Sequence, residues 1–248
     1  MGWFANIKSY FADRAQNKIA SYTKLVKNAK AIREDRQAAL EFFRSHEDPA
    51  VGIPAMLERF EFSLEHGIND TREKELALSG IVAHKEIAIP YIQTHLSRTT
   101  KIAWPIKALN AIGADKLVVE TLKKSLNFTD VAFDQAQVDK NYDILCYIRE
   151  YKVPGFYSEL AHFLKDPDER VRFAATEVLI EQDDPEVSAI VEPLLTDESN
   201  ENRRMRQATL DAFISKKWVL KQRDRFPQGH VMGNIFVNSK GILEVKAT

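Results

Sequence analysis

Two stretches of this 248-residue chain answer each other at a spacing of 34 residues. The run Asp166-Pro167-Asp168-Glu169-Arg170-Val171-Arg172-Phe173-Ala174-Ala175 matches a second that ends Asn202-Arg203-Arg204-Met205-Arg206-Gln207-Ala208-Thr209. Val171, Arg172 and Ala174 fall on Met205, Arg206 and Ala208. A third copy, Arg36-Gln37-Ala38-Ala39-Leu40, matches Arg206-Gln207-Ala208-Thr209-Leu210 at an offset of 170, five periods of 34. A fixed period of this size marks stacked helical hairpins, because one hairpin cannot bury its apolar face alone. Such a stack offers a surface for partners rather than a catalytic cleft.

Apolar spacing places the hairpins. Arg33–Ser45 pairs with Pro49–Leu64, Thr71–Ala83 with Ile87–Leu96, Ile102–Ile112 with Lys116–Leu126, Asp139–Tyr151 with Gly155–Leu164, and Asp168–Glu181 with Pro185–Leu195. Glu201–Lys216 is the last clear helix. Pro49 suits a first helical turn, where its missing N–H costs nothing. Asn69 or Asp70 is expected to cap the next helix, and Gly113 to end one in the left-handed conformation. Pro54, Pro90 and Pro193 recur in the second helices, where a proline should bend the rod. Ala38, Ala174 and Ala208 are expected to let helix axes approach, with Leu40, Leu179 and Leu210 filling the space between.

The phrase from Asp166 through Leu179 resembles a HEAT-type repeat, on the strength of Asp166, Pro167, Val171, Arg172, Ala174, Ala175 and Leu179. The resemblance implies an all-α fold, a right-handed α-solenoid of antiparallel HEAT-like helix pairs. It also implies that the repeat arginine, Arg172 or Arg206, reaches acidic or carbonyl groups of an adjacent repeat. It carries no catalytic residues. The organisation expected is an amphipathic capping region over residues 1–30, the solenoid over 31–220 and a tail over 221–248. In that tail, β-branched and aromatic residues around Asn238-Ser239-Lys240-Gly241 predict a small C-terminal β-hairpin, which must pack on the last helices or pair with another chain. Between the third and fourth hairpins, Asn127–Val138 reads as a long loop in which Phe128 or Phe133 should be tucked into the stack.

At the N-terminus, Trp3, Phe4, Ile7, Tyr10 and Phe11 share one helical face. A cap on the open end of the stack is the favoured reading. The alternative is an anchor on an acidic membrane surface. No apolar run approaches the roughly 20 residues that cross a bilayer. The single Cys146 cannot form an internal disulfide, lies on an apolar run and is expected to be a buried, inert thiol. A cytoplasmic location is expected.

The net charge of −1 hides an uneven distribution. Residues 1–36 and 201–226 each carry +5, and the middle, 37–200, carries −12. Asp183, Asp184 and Glu186 are therefore a candidate surface for a basic partner. Arg203, Arg204, Lys216 and Lys217 are the candidates for an acidic one. Asp184 is also placed to cap the next helix. The six histidines have no metal-ligand spacing, and no phosphate loop, dinucleotide fingerprint or nucleophile elbow occurs. No cofactor is implied. The expected function is non-catalytic recognition of a protein partner by a scaffold or adaptor. A nucleic-acid reading competes, as in HEAT-like alkyl-base DNA glycosylases, which use a carboxylate and aromatics on a basic face. Trp104 and Asp115 are present, but the acidic middle would repel phosphates. A peripheral membrane adaptor is the third reading.

Overall fold

A computed structural model describes residues 2–129, 134–182, 184–197, 199–226 and 230–245. The chain divides into two compact units, 1–125 and 126–248. In the first, α1 (Gly2–Val26) precedes three antiparallel pairs: α2 (Arg33–Arg44) with α3 (Pro49–Leu57), α4 (Gly67–Val82) with α5 (Ile89–Arg98), and α6 (Ala103–Ile112) with α7 (Asp115–Ser125). The packing is layered. The first helices, α2, α4 and α6, contact in succession, and α3, α5 and α7 form the second layer. The second unit repeats the arrangement. Its first layer is α8 (Gln135–Ile148), α10 (Glu169–Glu181) and α12 (Arg203–Lys216), and α9 (Tyr157–His162) and α11 (Pro185–Val191) form the other.

Helix limits follow local chemistry. Asp48, Asp134, Asp168 and Asp184 each accept a backbone N–H in the first turn of the helix that follows, which satisfies an otherwise orphaned donor. Asp134 thereby starts α8 four residues before the expected Asp139. Gly113 ends α6 with φ of 80°, as a left-handed cap requires. The expected cap at Asn69 or Asp70 is overturned. α4 starts earlier, at Gly67, and the Asp70 carboxylate accepts from Arg59, Lys74 and the Leu64 N–H. The repeated proline kink is corrected too. Of these three, Pro54 alone is internal to an α-helix. Before Pro90 the helix tightens into a 3-10 turn over Lys85–Ala88, and Pro193 opens another over Glu192–Thr196. Both prolines therefore occupy first turns, where no carbonyl waits for their missing N–H.

Leu40, Leu179 and Leu210 are buried as expected. Of the small residues, Ala174 is buried as expected, but Ala38 is exposed and Ala208 half-buried, while Ala39, Ala175 and Thr209 are fully buried one position later. Rotating a helix by one residue, about 100°, exchanges the face it presents. Close approach of α2 and α3 is instead set by Gly52, where an added Cβ would lie 2.7 Å from the Phe43 carbonyl oxygen. Glycine to alanine inside a helix ordinarily gains up to about 1 kcal/mol. Here Gly52→Ala is expected to destabilise by about 1–3 kcal/mol, because two backbones would have to separate. Urea unfolding checks this, and a gain in stability would refute it.

The second half of α1 packs on α2. Val26 is buried, the Tyr22 ring meets Phe42 edge-on at 5.0 Å, and Lys18 lies 4.8 Å above the same ring. Tyr10 is exposed. The side chains of Trp3, Phe4, Ile7 and Phe11 lie outside the described ones, as does Phe133. Phe128 rests against Phe163 at 5.1 Å and keeps one face in solvent.

The tail is more than a hairpin. Strands β1 (His230–Met232), β2 (Ile235–Val237) and β3 (Leu243–Val245) form an antiparallel sheet in sequence order. The Asn238–Gly241 turn joins β2 to β3, with Gly241 at φ of 80°, a conformation that favours glycine. The sheet joins the last helix through a Val219–Ile242 bridge and a hydrogen bond from the Leu220 N–H to the Gly241 carbonyl. Leu243 and Trp218 are buried, and Trp218 meets Phe213 edge-on at 5.4 Å.

Candidate interaction surfaces

The repeat arginines are the first residues with a legible job. Arg36, Arg172 and Arg206 each stand fourth in their helix. From there each reaches back to a carbonyl of the connection it follows. Arg36 Nη1 donates to Ala31 at 2.6 Å, Arg172 Nη1 to Asp166 at 2.8 Å, and Arg206 Nη1 to Asp197 at 2.7 Å. Two also reach the next pair. Arg172 Nε donates to Asn202 Oδ1 at 3.0 Å, and Arg36 grips Glu73 with two bonds of 2.9 and 2.8 Å. The contact to a neighbouring repeat is thus the second task of this residue, after tying down its own turn. The Asp166 side chain folds that turn by accepting the Asp168 N–H at 2.8 Å.

In the first unit this scheme is enlarged into a buried charge network that the repeat pattern did not reveal. Glu73 accepts from Arg36 and from Arg59 Nε at 2.8 Å. Arg59 continues to Asp70 at 2.7 Å, and Asp70 accepts from Lys74 at 2.6 Å. Arg59 is fully buried, and Arg36, Glu73 and Lys74 are nearly so. Burial pushes both carboxyls up, yet the hydrogen bonds from arginine and lysine outweigh it and hold Asp70 and Glu73 below the ordinary carboxylate range. Three cations face two carboxylates, so the cluster keeps a positive balance. The legible signals were the fourth-position arginine and the Asp70–Lys74 spacing of one helical turn. Arg59 offered none.

A cleft of about 450 Å³ opens beside this network. Lys30 lines it from the connection before α2, and Arg33 and Arg36 from the first turn of that helix; Glu65 and His66 come from the connection before α4, and Asn69 from the start of α4.

Among the charged candidates in the second unit, Asp183 lies outside the described residues. Asp184 is occupied as the α11 cap and also accepts from the Tyr157 hydroxyl at 3.1 Å, whereas Glu186 is exposed. Arg203 and Arg204 are exposed in the first turn of α12, with Arg204 lying 4.1 Å over the Phe173 ring. Lys216 and Lys217 close the same helix, Lys217 in the left-handed conformation at φ of 54°. At 1.5 Å per residue the two basic pairs stand roughly 20 Å apart along the axis. They do not form one continuous patch.

Cys146 is exposed, which corrects the buried thiol. The buried face of α8 runs through Asn141, Ile144, Leu145 and Ile148, and Cys146 falls off that stripe. Partial burial still raises its pKa, against the Tyr142 hydrogen bond, which lowers it. A thiol so shifted is a poor nucleophile at neutral pH. Trp104 stacks on Phe60 at 5.7 Å with Lys107 above it, and the side chain of Asp115 lies outside the described ones.

His95 is the most confined titratable ring. It is 1% exposed, its Nε2 lies 2.9 Å from Glu61 Oε1 without hydrogen-bond alignment, and its Nδ1 has no partner among the described residues. Burial lowers its pKa, against the raising influence of Glu61 and Glu58. The folded ring therefore takes up its proton at a lower pH than the unfolded chain does, whose ordinary value is 6.5. Its contribution to stability is complete above that value and is lost as the pH falls through it. Between about pH 7.5 and 5.5 the wild type should lose stability more steeply than His95→Gln, and parallel melting profiles would refute this.

The layered helix pairs define a helical-repeat protein. Residues 143–211, in the second unit, match the family model described as HEAT repeats, and the layered pairs of the first unit are similar to them in arrangement. That segment covers α9, α10 and α11, the C-terminal part of α8, most of α12, and the arginines Arg172 and Arg206. No curated protein and no solved structure matches the chain. No described helix is long and apolar enough to cross a membrane.

Proposed function

We infer that this protein is a non-catalytic scaffold that recognises a protein partner through the exposed surfaces of its helix pairs. HEAT repeats commonly serve as protein-interaction scaffolds, and architecture of this kind supports a class of activity rather than a named reaction. The observation that carries the reading is how the displaced titratable groups are used. Asp70, Glu73, Asp168 and Asp197 are all held low by hydrogen bonds that fasten helix starts or neighbouring helices. They serve packing, where an enzyme would turn such groups toward a substrate. A cytoplasmic adaptor role accompanies this inference, in keeping with the free thiol of Cys146.

Affinity capture from the native host, followed by reconstitution with the purified captured protein, tests it. A direct complex between the two purified chains is the expected result. Tight, steeply salt-dependent retention of duplex DNA, with no captured protein binding directly, would overturn the reading in favour of nucleic-acid recognition.

A further inference from the structure

The cleft of the first unit joins two features that are rarely adjacent without a use. The first is positive charge without a local answer. Lys30 and Arg33 are exposed, and no ion pair among the described residues includes them. Behind them Arg36 is fixed by Glu73 and the Ala31 carbonyl, so its guanidinium forms an immobile wall. Glu65 is the carboxylate on the lining; Glu34 and Asp35 lie on the first turn of α2 outside it. The second feature is apolar. Ile32 and Ile68 are 66% and 75% exposed, and each stands in the chain directly beside lining residues. Ile32 is also the N-cap of α2 and provides no side-chain cap, in a position where Ser or Asp would stabilise the helix. A large aliphatic side chain there gives up both a cap and its own burial.

We propose that this cleft is the docking site for an acidic, apolar-anchored peptide segment of a partner protein. Its carboxylates would meet Lys30 and Arg33, with Arg36 as the fixed floor behind them, and an aliphatic or aromatic side chain would lie against Ile32 and Ile68. The charge of the lining selects the sign of the partner. The concave site between two connections suits an extended chain, with Ser63 and Asn69 as hydrogen-bonding groups on its wall. A flat bilayer surface could not enter it. This proposal rests on the scaffold reading and adds the chemistry of the partner.

A displayed library of random peptides, selected on the full-length protein, tests it. The enriched pool should combine Asp or Glu with a large apolar residue. Synthetic members of that pool should bind at least about tenfold more weakly to Lys30→Glu/Arg33→Glu, and equally well to Lys116→Glu/Lys124→Glu, which reverses two exposed charges on α7. Ile32→Ser supplies the missing cap, so it should raise the melting temperature while weakening the peptide. That pairing keeps a folding defect from imitating the expected loss. A basic or neutral pool, no enriched pool, or binders indifferent to the Lys30 and Arg33 reversals would overturn the proposal. So would phosphatidylserine vesicles that bind through these residues when the acidic peptides do not. Peptides that depend on another surface would remove this cleft and leave the scaffold reading standing. Absence of any direct complex with a captured host protein would remove the scaffold reading itself.

Discussion

Replacing Glu73 with alanine will destabilise the first unit by about 3–5 kcal/mol, the cost of leaving buried charge without its counter-ion. Glu73 accepts from both Arg36 and Arg59, which come from different helical elements. Without it, Arg36 keeps its bond to the Ala31 carbonyl and Arg59 its bond to Asp70. Neither arrangement neutralises the second guanidinium. Urea unfolding followed by circular dichroism measures the loss. A change under about 1 kcal/mol would mean that water reaches the network and solvates the arginines. The same carboxyl sets an acid limit. Its pKa is lower folded than unfolded, so its stabilisation is present above about 4.5 and disappears as the pH falls through the folded value.

Phe213→Ala in the second unit should cost about 3–5 kcal/mol, the usual range for a large aromatic removed from a packed interior. The ring is fully buried on α12 and supports Trp218 edge-on, an arrangement worth about 1 kcal/mol beyond burial. Trp218 begins the segment that carries Leu220 to its bond with the sheet. Its near-ultraviolet dichroism should therefore fall along with the melting temperature. An unchanged tryptophan signal in a destabilised protein would show that the sheet is held by other contacts. Phe213→Leu, which keeps most of the volume, should recover a large part of the loss.

The repeat made the helix pairs and the fourth-position arginines legible, because Arg36, Arg172 and Arg206 occupy equivalent places in aligned copies. It also misplaced details for a physical reason. Arg172 reaches Asp166, but Arg206 reaches back further, to Asp197, since the connection before α12 holds an extra 3-10 turn over Asn200–Asn202. Equal spacing of the arginines does not make their turns equal. Arg59, Gly52 and His95 were illegible for a different reason. Each is defined by what lies across from it, a carboxylate on α4, a carbonyl on α2 and a glutamate near α3. Composition and period carry no record of such partners. The cleft was hidden likewise, for its walls come from the starts of α2 and α4 and the residues just before them, more than 30 residues apart in the chain. Counting charge along the chain found the basic beginning but had no means of knowing that it would fold against the start of α4.

The C-terminal sheet has a meaning for how the molecule behaves in company. Stacked hairpins have no natural last member; each exposed flank is a template for another copy. Here Leu220 and Leu243 are buried where the small sheet meets the chain after α12, Val219 bridges to Ile242, and the Arg223 guanidinium donates to the carbonyls of Ser239 and Lys240. The flank of α12 that another hairpin would need is thus occupied by this sheet.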